Sequence, residues 1–187
     1  MEKIKILTVS DMAVATGFAR VMESITKHFP DSWEIHSLAI NYMGDPYECR
    51  NRLYPAMLGG DPYGFGRLGN LVNSIDPTYI FILQDSWILQ RYLEILGDHL
   101  DKIVTYVPVD AGPYMPEWLV DFPKVKQVVA YTEYGKEVLQ DSNPEITNIT
   151  VIPHGIDTEV FKPLDSLETR KMFKSIKPEH FVILNVN

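Results

Sequence analysis

The sequence predicts a doubly wound α/β domain, a Rossmann-like parallel sheet with helices on both faces. Short apolar runs alternate with helix-length amphipathic segments six times along the chain, as strands joined by right-handed helical crossovers do. The central run at residues 79–83 is apolar throughout, which is typical of parallel strands covered on both faces. With 187 residues, 45% of them hydrophobic, the chain can bury a three-layer core.

The first elements follow from the opening forty residues. Residues 4–9 form an apolar run, and apolar side chains then recur at helical spacing through residues 18–29. Pro30 is expected to end this helix, because proline cannot continue helical hydrogen bonding. A second strand is predicted at residues 33–40.

The remaining elements are predicted from the same two periodicities and from turn residues between them. In chain order they are a helix at 68–75, a strand at 79–83, a helix at 87–96 with Gly97 as its C-cap, a strand at 102–109, a short helix at 117–122, a strand at 125–131, a helix at 133–139, a strand at 149–152, a helix at 167–176 and a strand at 181–186.

Residues 41–69 are predicted to form a long irregular loop, because they are rich in Gly, Pro, Tyr and Asp. Such a loop is uncommon inside a compact domain and often carries function. A plain surface excursion explains it equally well.

Composition narrows the function classes. A net charge of −8 and a pI near 5.1 argue against a nucleic-acid surface, which needs basic excess. The single cysteine, Cys49, permits neither an internal disulfide nor a thiolate metal cluster. The sequence shows no signal peptide and no apolar run long enough for a transmembrane segment. A cytoplasmic protein is expected.

Ligands of open α/β sheets bind beyond the carboxyl ends of the strands. Thr16, Gly17 and Arg20 open the first helix, whose free N–H groups favour an anion. One glycine lacks the spacing of a dinucleotide fingerprint, so local grounds favour a plain helix start. Asp85 and Thr132 follow later strands, and helix capping is the favoured interpretation of both.

Asp110 also follows a strand, and a rigid turn and the aromatic residues Tyr114 and Trp118 come after it. Carboxylates bind sugar hydroxyls and aromatic faces cover sugar C–H surfaces, so a sugar site and simple turn chemistry are equally good interpretations. His154 is expected to have a structural or hinge role. No metal is predicted, because no second His or Cys stands at ligand spacing.

Residues 151–163 read Val-Ile-Pro-His-Gly-Ile-Asp-Thr-Glu-Val-Phe-Lys-Pro. A strand cannot continue through Pro153, and Gly155 allows a backbone turn. Residues of these types in this order resemble the interdomain signature of family 4 glycosyltransferases, which are retaining enzymes of the GT-B fold with two Rossmann-like halves.

The resemblance implies roles for the same residues. The Thr16, Gly17 and Arg20 segment is similar to the glycine loop that faces the interdomain cleft and contacts the donor diphosphate or the acceptor. Many family members carry a histidine at the position of Val109, so a histidine role cannot be transferred. Asp110 keeps the family's acid and is assigned to acceptor orientation or to transition-state charge.

The resemblance also implies an organisation and a reaction. Residues 1–163 would be the N-terminal acceptor-side domain, and residues 164–187 would be a linker helix and the first strand of a C-terminal donor-binding domain. The chain would then be the first half of a two-half enzyme and inactive alone. The reaction would transfer a hexosyl group, with retention, from a nucleotide-diphosphate sugar to a hydroxyl of a glycan, lipid-linked or protein acceptor.

Two alternatives belong to other classes. One is a non-catalytic α/β module that binds a sugar or nucleotide and works with a separate chain. The other is a flavodoxin-like or nucleotide-binding module, which predicts a phosphate fingerprint or an acidic cluster at the first strand.

Overall fold

The computed structural model describes residues 3–173, 175–177 and 179–185. The chain divides into two compact units, Met1–His154 and Gly155–Asn187. The division falls before the boundary predicted after residue 163. All seven strands of the sheet belong to the first unit.

The strands and helices of the first unit alternate along most of its length. They are β1 (Lys5–Asp11), α1 (Gly17–Lys27), β2 (Glu34–Ile40), β3 (Arg52–Pro55), α2 (Phe65–Ile75), β4 (Tyr79–Leu83), α3 (Ser86–Ile95), β5 (Ile103–Val107), β6 (Gln127–Ala130), α4 (Glu133–Ser142) and β7 (Ile149–Val151). Three short 3₁₀ segments lie between them, at Gly97–Lys102, Pro116–Trp118 and Phe122–Lys124.

The described residues form one all-parallel sheet in the order β3-β2-β1-β4-β5-β6-β7. The chain winds outward from β1 to β3, returns to the other side of β1 at β4, and then winds outward again. The prediction of a doubly wound sheet is confirmed. The reversal between β1 and β4 is the topological switch point, where open sheets of this kind leave a crevice at their carboxyl edge.

Helices cover both faces of the sheet, although unequally. One face packs against α2, α3 and α4, where Leu38, Leu68 and Leu93 are fully buried. Each such side chain stabilises the fold by roughly 1.5–3 kcal/mol through loss of contact with water. The other face packs against α1 through Met22.

Gly64 shows how closely the α2 side is packed. Its φ of +69° lies in the left-handed region, and a Cβ there would come within 2.9 Å of a methyl carbon of Leu38. Glycine is therefore required where the chain enters α2.

Part of the predicted loop at residues 41–69 is regular structure. Arg52–Pro55 is strand β3, which is the outermost strand of the described sheet and pairs with β2, and α2 begins within the predicted loop at Phe65. An edge strand exposes one side, so its residues need not be apolar. Arg, Tyr and Pro therefore concealed it from a search for apolar runs.

Two other local predictions are wrong. The short helix at residues 117–122 is replaced by two 3₁₀ segments, each with a proline in its first turn. Gly97 is not the C-cap of α3: Leu96 takes that position, and Gly97 starts a 3₁₀ segment in place of an αL cap. Pro30 lies beyond the end of α1, whose C-cap is His28.

The second unit contains one short helix, α5 (Ser166–Lys171), among its described residues, which is shorter than the predicted helix at 167–176. Asp165 caps it by accepting hydrogen bonds from the N–H groups of Leu167 and Glu168. The strand predicted at 181–186 is wrong for residues 181–185, which have no regular structure, and Val186 lies outside the described residues. A strand needs a neighbour for its backbone groups, and the described part of this unit contains none.

None of the helices in the described part of the chain combines the length and apolar character required to cross a bilayer.

Candidate functional site

Three carboxylates are brought to the carboxyl edge of the sheet at the switch point. Asp11 is the last residue of β1, Asp85 lies two residues after β4, and Asp110 follows β5. Because β4 lies between β1 and β5, the three chain segments leave the sheet side by side. We call these three residues the acidic edge.

Asp11 is the buried member of the acidic edge, with 5% of its surface exposed. Its carboxylate accepts hydrogen bonds from the hydroxyl of Thr16 at 2.7 Å and from the side-chain amide of Asn41 at 3.3 Å. Burial raises the pKa of Asp11, and these two hydrogen bonds oppose the rise. The carboxylate ties the start of α1 to the chain segment that follows β2.

Asp85 occupies the N-cap position of α3, but its side chain accepts no capping hydrogen bond. The prediction that capping explains this residue is wrong. Burial raises the pKa of Asp85, and the negative charges of Asp110 and Asp11 raise it further. The negative charges of both other carboxylates therefore act on Asp85, and no lysine or arginine among the described residues forms an ion pair with it.

Asp110 is exposed at the start of a turn that is held from two sides. A Cβ on Gly112 would lie 2.8 Å from a methyl carbon of Val138, so the turn packs directly against α4, and the Gly112–Pro113 bond is cis. The Tyr114 hydroxyl donates to the carbonyl of Pro108 at 3.1 Å and closes the turn. The structure thus combines rigid turn chemistry with an exposed carboxylate.

Aromatic rings lie next to this turn. The Trp118 ring centroid is 5.8 Å from that of Tyr114 and 5.4 Å from that of Trp87, which follows Asp85 by two residues. Burial raises the pKa of Tyr114, with further contributions from the charges of Asp110 and Asp85. The two tryptophans and Tyr114 form what we call the aromatic wall, and it adjoins the acidic edge.

Thr16 and Gly17 take the predicted positions at the start of α1. Thr16 is the N-cap and accepts from the N–H of Ala19 at 3.2 Å, while Gly17 is the first helical residue. A Cβ on Gly17 would meet no atom within 4 Å, so packing does not explain the glycine. Arg20, one turn further on, is exposed.

Thr132 caps α4 by accepting from the N–H of Gly135 at 3.0 Å, so the capping interpretation is confirmed. A Cβ on Gly135 would lie 3.2 Å from the Cβ of Val109, and the side chain of Val109 therefore packs against the first turn of α4. This contact explains why a small apolar residue suits position 109.

His154 ends the first unit and lies on two tyrosines. Its ring centroid is 4.0 Å from that of Tyr131 and 5.5 Å from that of Tyr106. Burial lowers the pKa of His154, which favours the neutral imidazole at pH 7. The Tyr106 hydroxyl donates to the carbonyl of Ile152 at 3.0 Å and fixes the chain just before the histidine. These contacts suit the structural role predicted for His154.

No group of three or more His, Cys, Asp or Glu side chains is placed to hold a metal ion within residues 3–173, 175–177 and 179–185.

The chain matches no protein-family model, and a search of curated proteins found no significant match. The glycosyltransferase resemblance is therefore carried only by the residues quoted for it.

Two members of the site were missed by sequence reasoning. Asp11 follows an apolar run as Asp110 does, and the same strand-end rule applied to every strand would have selected it. The sequence pattern identifies Trp87 only as the start of a helix. Its place beside Trp118 depends on a contact between segments about thirty residues apart, for which the sequence carries no local signal.

Proposed function

We propose that the Met1–His154 unit is the acceptor-side domain of a retaining, nucleotide-sugar-dependent glycosyltransferase. The observation that carries the proposal is the acidic edge at the switch point with the aromatic wall beside it. The exposed carboxylate of Asp110 can accept hydrogen bonds from sugar hydroxyls, and aromatic faces cover sugar C–H surfaces. The pairing therefore suits a hydroxyl-rich acceptor.

The negative charge of the acidic edge indicates that the acceptor and the donor diphosphate bind at different places on this unit. Asp85 and Asp110 form no ion pair with a lysine or arginine in the described chain, so a diphosphate placed between them would be repelled. We assign donor contacts on this unit to Gly17 and Arg20 at the start of α1, where N–H groups and a cation favour an anion. The remaining contacts would come from a donor-binding domain.

Asp110 has two roles in the proposed reaction. Its carboxylate orients the acceptor hydroxyl, and its charge stabilises the oxocarbenium-like transition state of hexosyl transfer. Stabilisation of charge in a preformed site is often the largest contribution to catalysis. The negative charge that develops on the leaving diphosphate needs cationic donors, so the 187-residue chain is proposed to bind acceptor without transferring sugar. A cytoplasmic location belongs to the same proposal.

The first experiment measures glycoside binding by the purified chain through tryptophan fluorescence, since Trp87 and Trp118 lie in the aromatic wall. A panel of methyl glycosides should give a saturable change for at least one sugar. Asp110→Asn should weaken that binding by about tenfold, the effect of a hydrogen bond to a charged group. Asp98→Asn removes an exposed carboxylate just before β5, at the other edge of the sheet, and should leave binding unchanged.

Two outcomes would count against the proposal. Absence of a saturable response across the panel would remove the acceptor site, and equal weakening by both variants would place binding elsewhere. Sugar transfer from a nucleotide sugar by the purified chain would refute the expectation that it is inactive alone. If a longer protein that includes these 187 residues bound glycosides but transferred no sugar, that result would favour the non-catalytic α/β module.

A further inference from the structure

A polar cleft lies at the amino ends of the strands, on the opposite side of the sheet from the acidic edge at their carboxyl ends. It has a volume of about 370 Å³ and lies between the first residues of β1, β2 and β3 and the last turn of α2. Its lining includes Lys5, Glu34, His36, Arg52, Tyr54 and Ser74. We call it the basic cleft, and neither the sequence motifs nor the proposed function accounts for it.

The register of the sheet gathers these side chains. Lys5 pairs with Glu34 across β1 and β2, and His36 pairs with Arg52 across β2 and β3. Alternate residues of a strand point to the same face, so all four lie on the face that α2 covers. Strands covered by a helix are usually apolar there. The basic cleft is instead polar.

His36 is a buried residue of the basic cleft, and hydrogen bonds hold its ring in place. Its side chain is only 5% exposed, and both ring nitrogens are bonded: Nε2 lies 2.8 Å from Oε1 of Glu34 and Nδ1 lies 2.9 Å from the hydroxyl of Tyr54. The Tyr54 ring also stacks on the imidazole at 5.8 Å between centroids. The hydrogen bond with His36 is the main reason that the pKa of Glu34 is lowered. Glu34 is accordingly ionised at pH 7.

The cations outnumber the carboxylate. Glu34 pairs with Lys3 at 3.7 Å, and Lys5 donates one of its three protons to the carbonyl of Ile75 at 2.9 Å. Arg52 lies over the Tyr54 ring at 5.8 Å and makes no ion pair with any described carboxylate. Leaving His36 aside, the positive charges of Lys5 and Arg52 in the lining and of Lys3 beside Glu34 outnumber the one carboxylate, in a chain with a net charge of −8.

We propose that the basic cleft binds a small oxyanion of the phosphate or sulfate class through the guanidinium of Arg52 and the ammonium of Lys5. A guanidinium presents two parallel N–H donors to such an anion, and an ammonium adds a point charge with donors that rotate freely. Lys5 keeps two protons for this purpose. The tyrosine below Arg52 limits where its guanidinium can lie, which reduces the ordering cost of binding. This inference is independent of the glycosyltransferase proposal.

The test uses the intact chain and inorganic phosphate as the probe. Amide NMR spectra are recorded at pH 7 during a phosphate titration, with sodium chloride adjusted to hold ionic strength constant. Saturable shifts are expected at the first residues of β1, β2 and β3. Arg52→Gln should weaken phosphate binding by about tenfold, because it removes a charged bidentate donor.

Arg91 provides the matched control. It is also an exposed arginine over an aromatic ring, 4.2 Å from the centroid of Phe65, but Phe65 begins α2 whereas the basic cleft lies at the end of that helix. Arg91→Gln should leave phosphate affinity within about twofold of the wild type, as expected for a charge beyond the screening length. An equal loss in both variants would show a nonspecific charge effect and overturn the proposal.

A second variant tests for a gain of affinity, which misfolding could not produce. Glu34→Gln can keep a hydrogen bond with His36 but removes the negative charge from the basic cleft, so phosphate should bind about threefold or more tightly. Unchanged or weaker binding would contradict the charge argument. Shifts centred on Gly17 to Arg20 would assign the anion to the other edge, and shifts that do not saturate would indicate an adventitious ion only.

Discussion

Asp85 is the residue whose surroundings depart most from what its position in the chain suggests. It lies at a helix N-cap without capping, and its raised pKa shows that ionisation is unfavourable in the folded state. Residues kept despite such a cost are often functional, because stability is given up where a charge is needed.

We predict that Asp85→Asn is more stable than the wild type at pH 7 but not near pH 4. The folded-state pKa of Asp85 is above its unfolded value, so its contribution to stability is full below the unfolded value of about 3.8 and is lost as pH rises through the folded value. At pH 7 the variant should gain a few tenths of a kcal/mol, about the size of partly exposed charge effects. The gain should vanish near pH 4.

Urea unfolding at the two pH values measures this difference. Asp45→Asn, in the exposed segment after β2, serves as the control because its carboxylate makes no hydrogen bond or ion pair with the described residues. A loss of stability for Asp85→Asn at pH 7 would reveal a favourable partner and would remove the strain argument.

Helices α1 and α4 both begin with a threonine N-cap, but the hydroxyl groups of the two threonines differ in their other hydrogen bonds. Each begins with a threonine whose hydroxyl accepts from the backbone N–H three residues later. The Thr132 hydroxyl makes no further hydrogen bond with the described residues, whereas the Thr16 hydroxyl also donates to the buried carboxylate of Asp11.

We predict that Thr132→Ala costs about 1 kcal/mol, the usual loss for an N-cap. Thr16→Ala should cost roughly 2–4 kcal/mol, because it also removes a hydrogen bond to a charged group that is nearly excluded from water. Thr132→Ser and Thr16→Ser keep the hydroxyl and should stay close to the wild type. Equal losses for the two alanine variants in urea unfolding would show that the bond to Asp11 contributes nothing.

For the whole molecule, the hydrophobic core lies within one of the two units. Every buried hydrophobic residue of the described chain lies between Ile6 and Ile146, whereas most of the large apolar side chains described after His154 are exposed, including Phe181 at 91%. The Met1–His154 unit also contains the complete sheet. Its stability should therefore depend little on residues 155–187.

We predict that a protein of residues 1–154 unfolds within roughly 3 °C of the full chain, which is about 1 kcal/mol at this size. A protein ending at residue 148 is the control, because it lacks β7 and exposes β6 as a new edge. It should be destabilised by several kcal/mol through lost pairing and burial. Circular dichroism during heating compares the three proteins, and unfolding of the 1–154 protein at room temperature would contradict the division.

The sequence could predict the strands that are buried on both faces, because covered parallel strands are rich in apolar residues. It could not predict β3, where Arg52 and Pro55 are compatible with an exposed edge. At the site, the strand-end position of Asp110 was predictable from the chain alone. The role of Asp85 was not predictable, because an aspartate at this position suits both a helix cap and a charged site. Only the proximity of Asp11 and Asp110 distinguishes these two roles.

The lengths of the outermost strands bear on how copies of this protein meet in concentrated solution. β3 has four residues, the last of them a proline, and β7 has three, whereas β1 and β2 have seven each. A short border strand offers few free backbone groups, and proline withholds one of them. Both margins of the sheet are therefore poor templates for edge-to-edge growth, and the fold itself protects this domain against fibril formation.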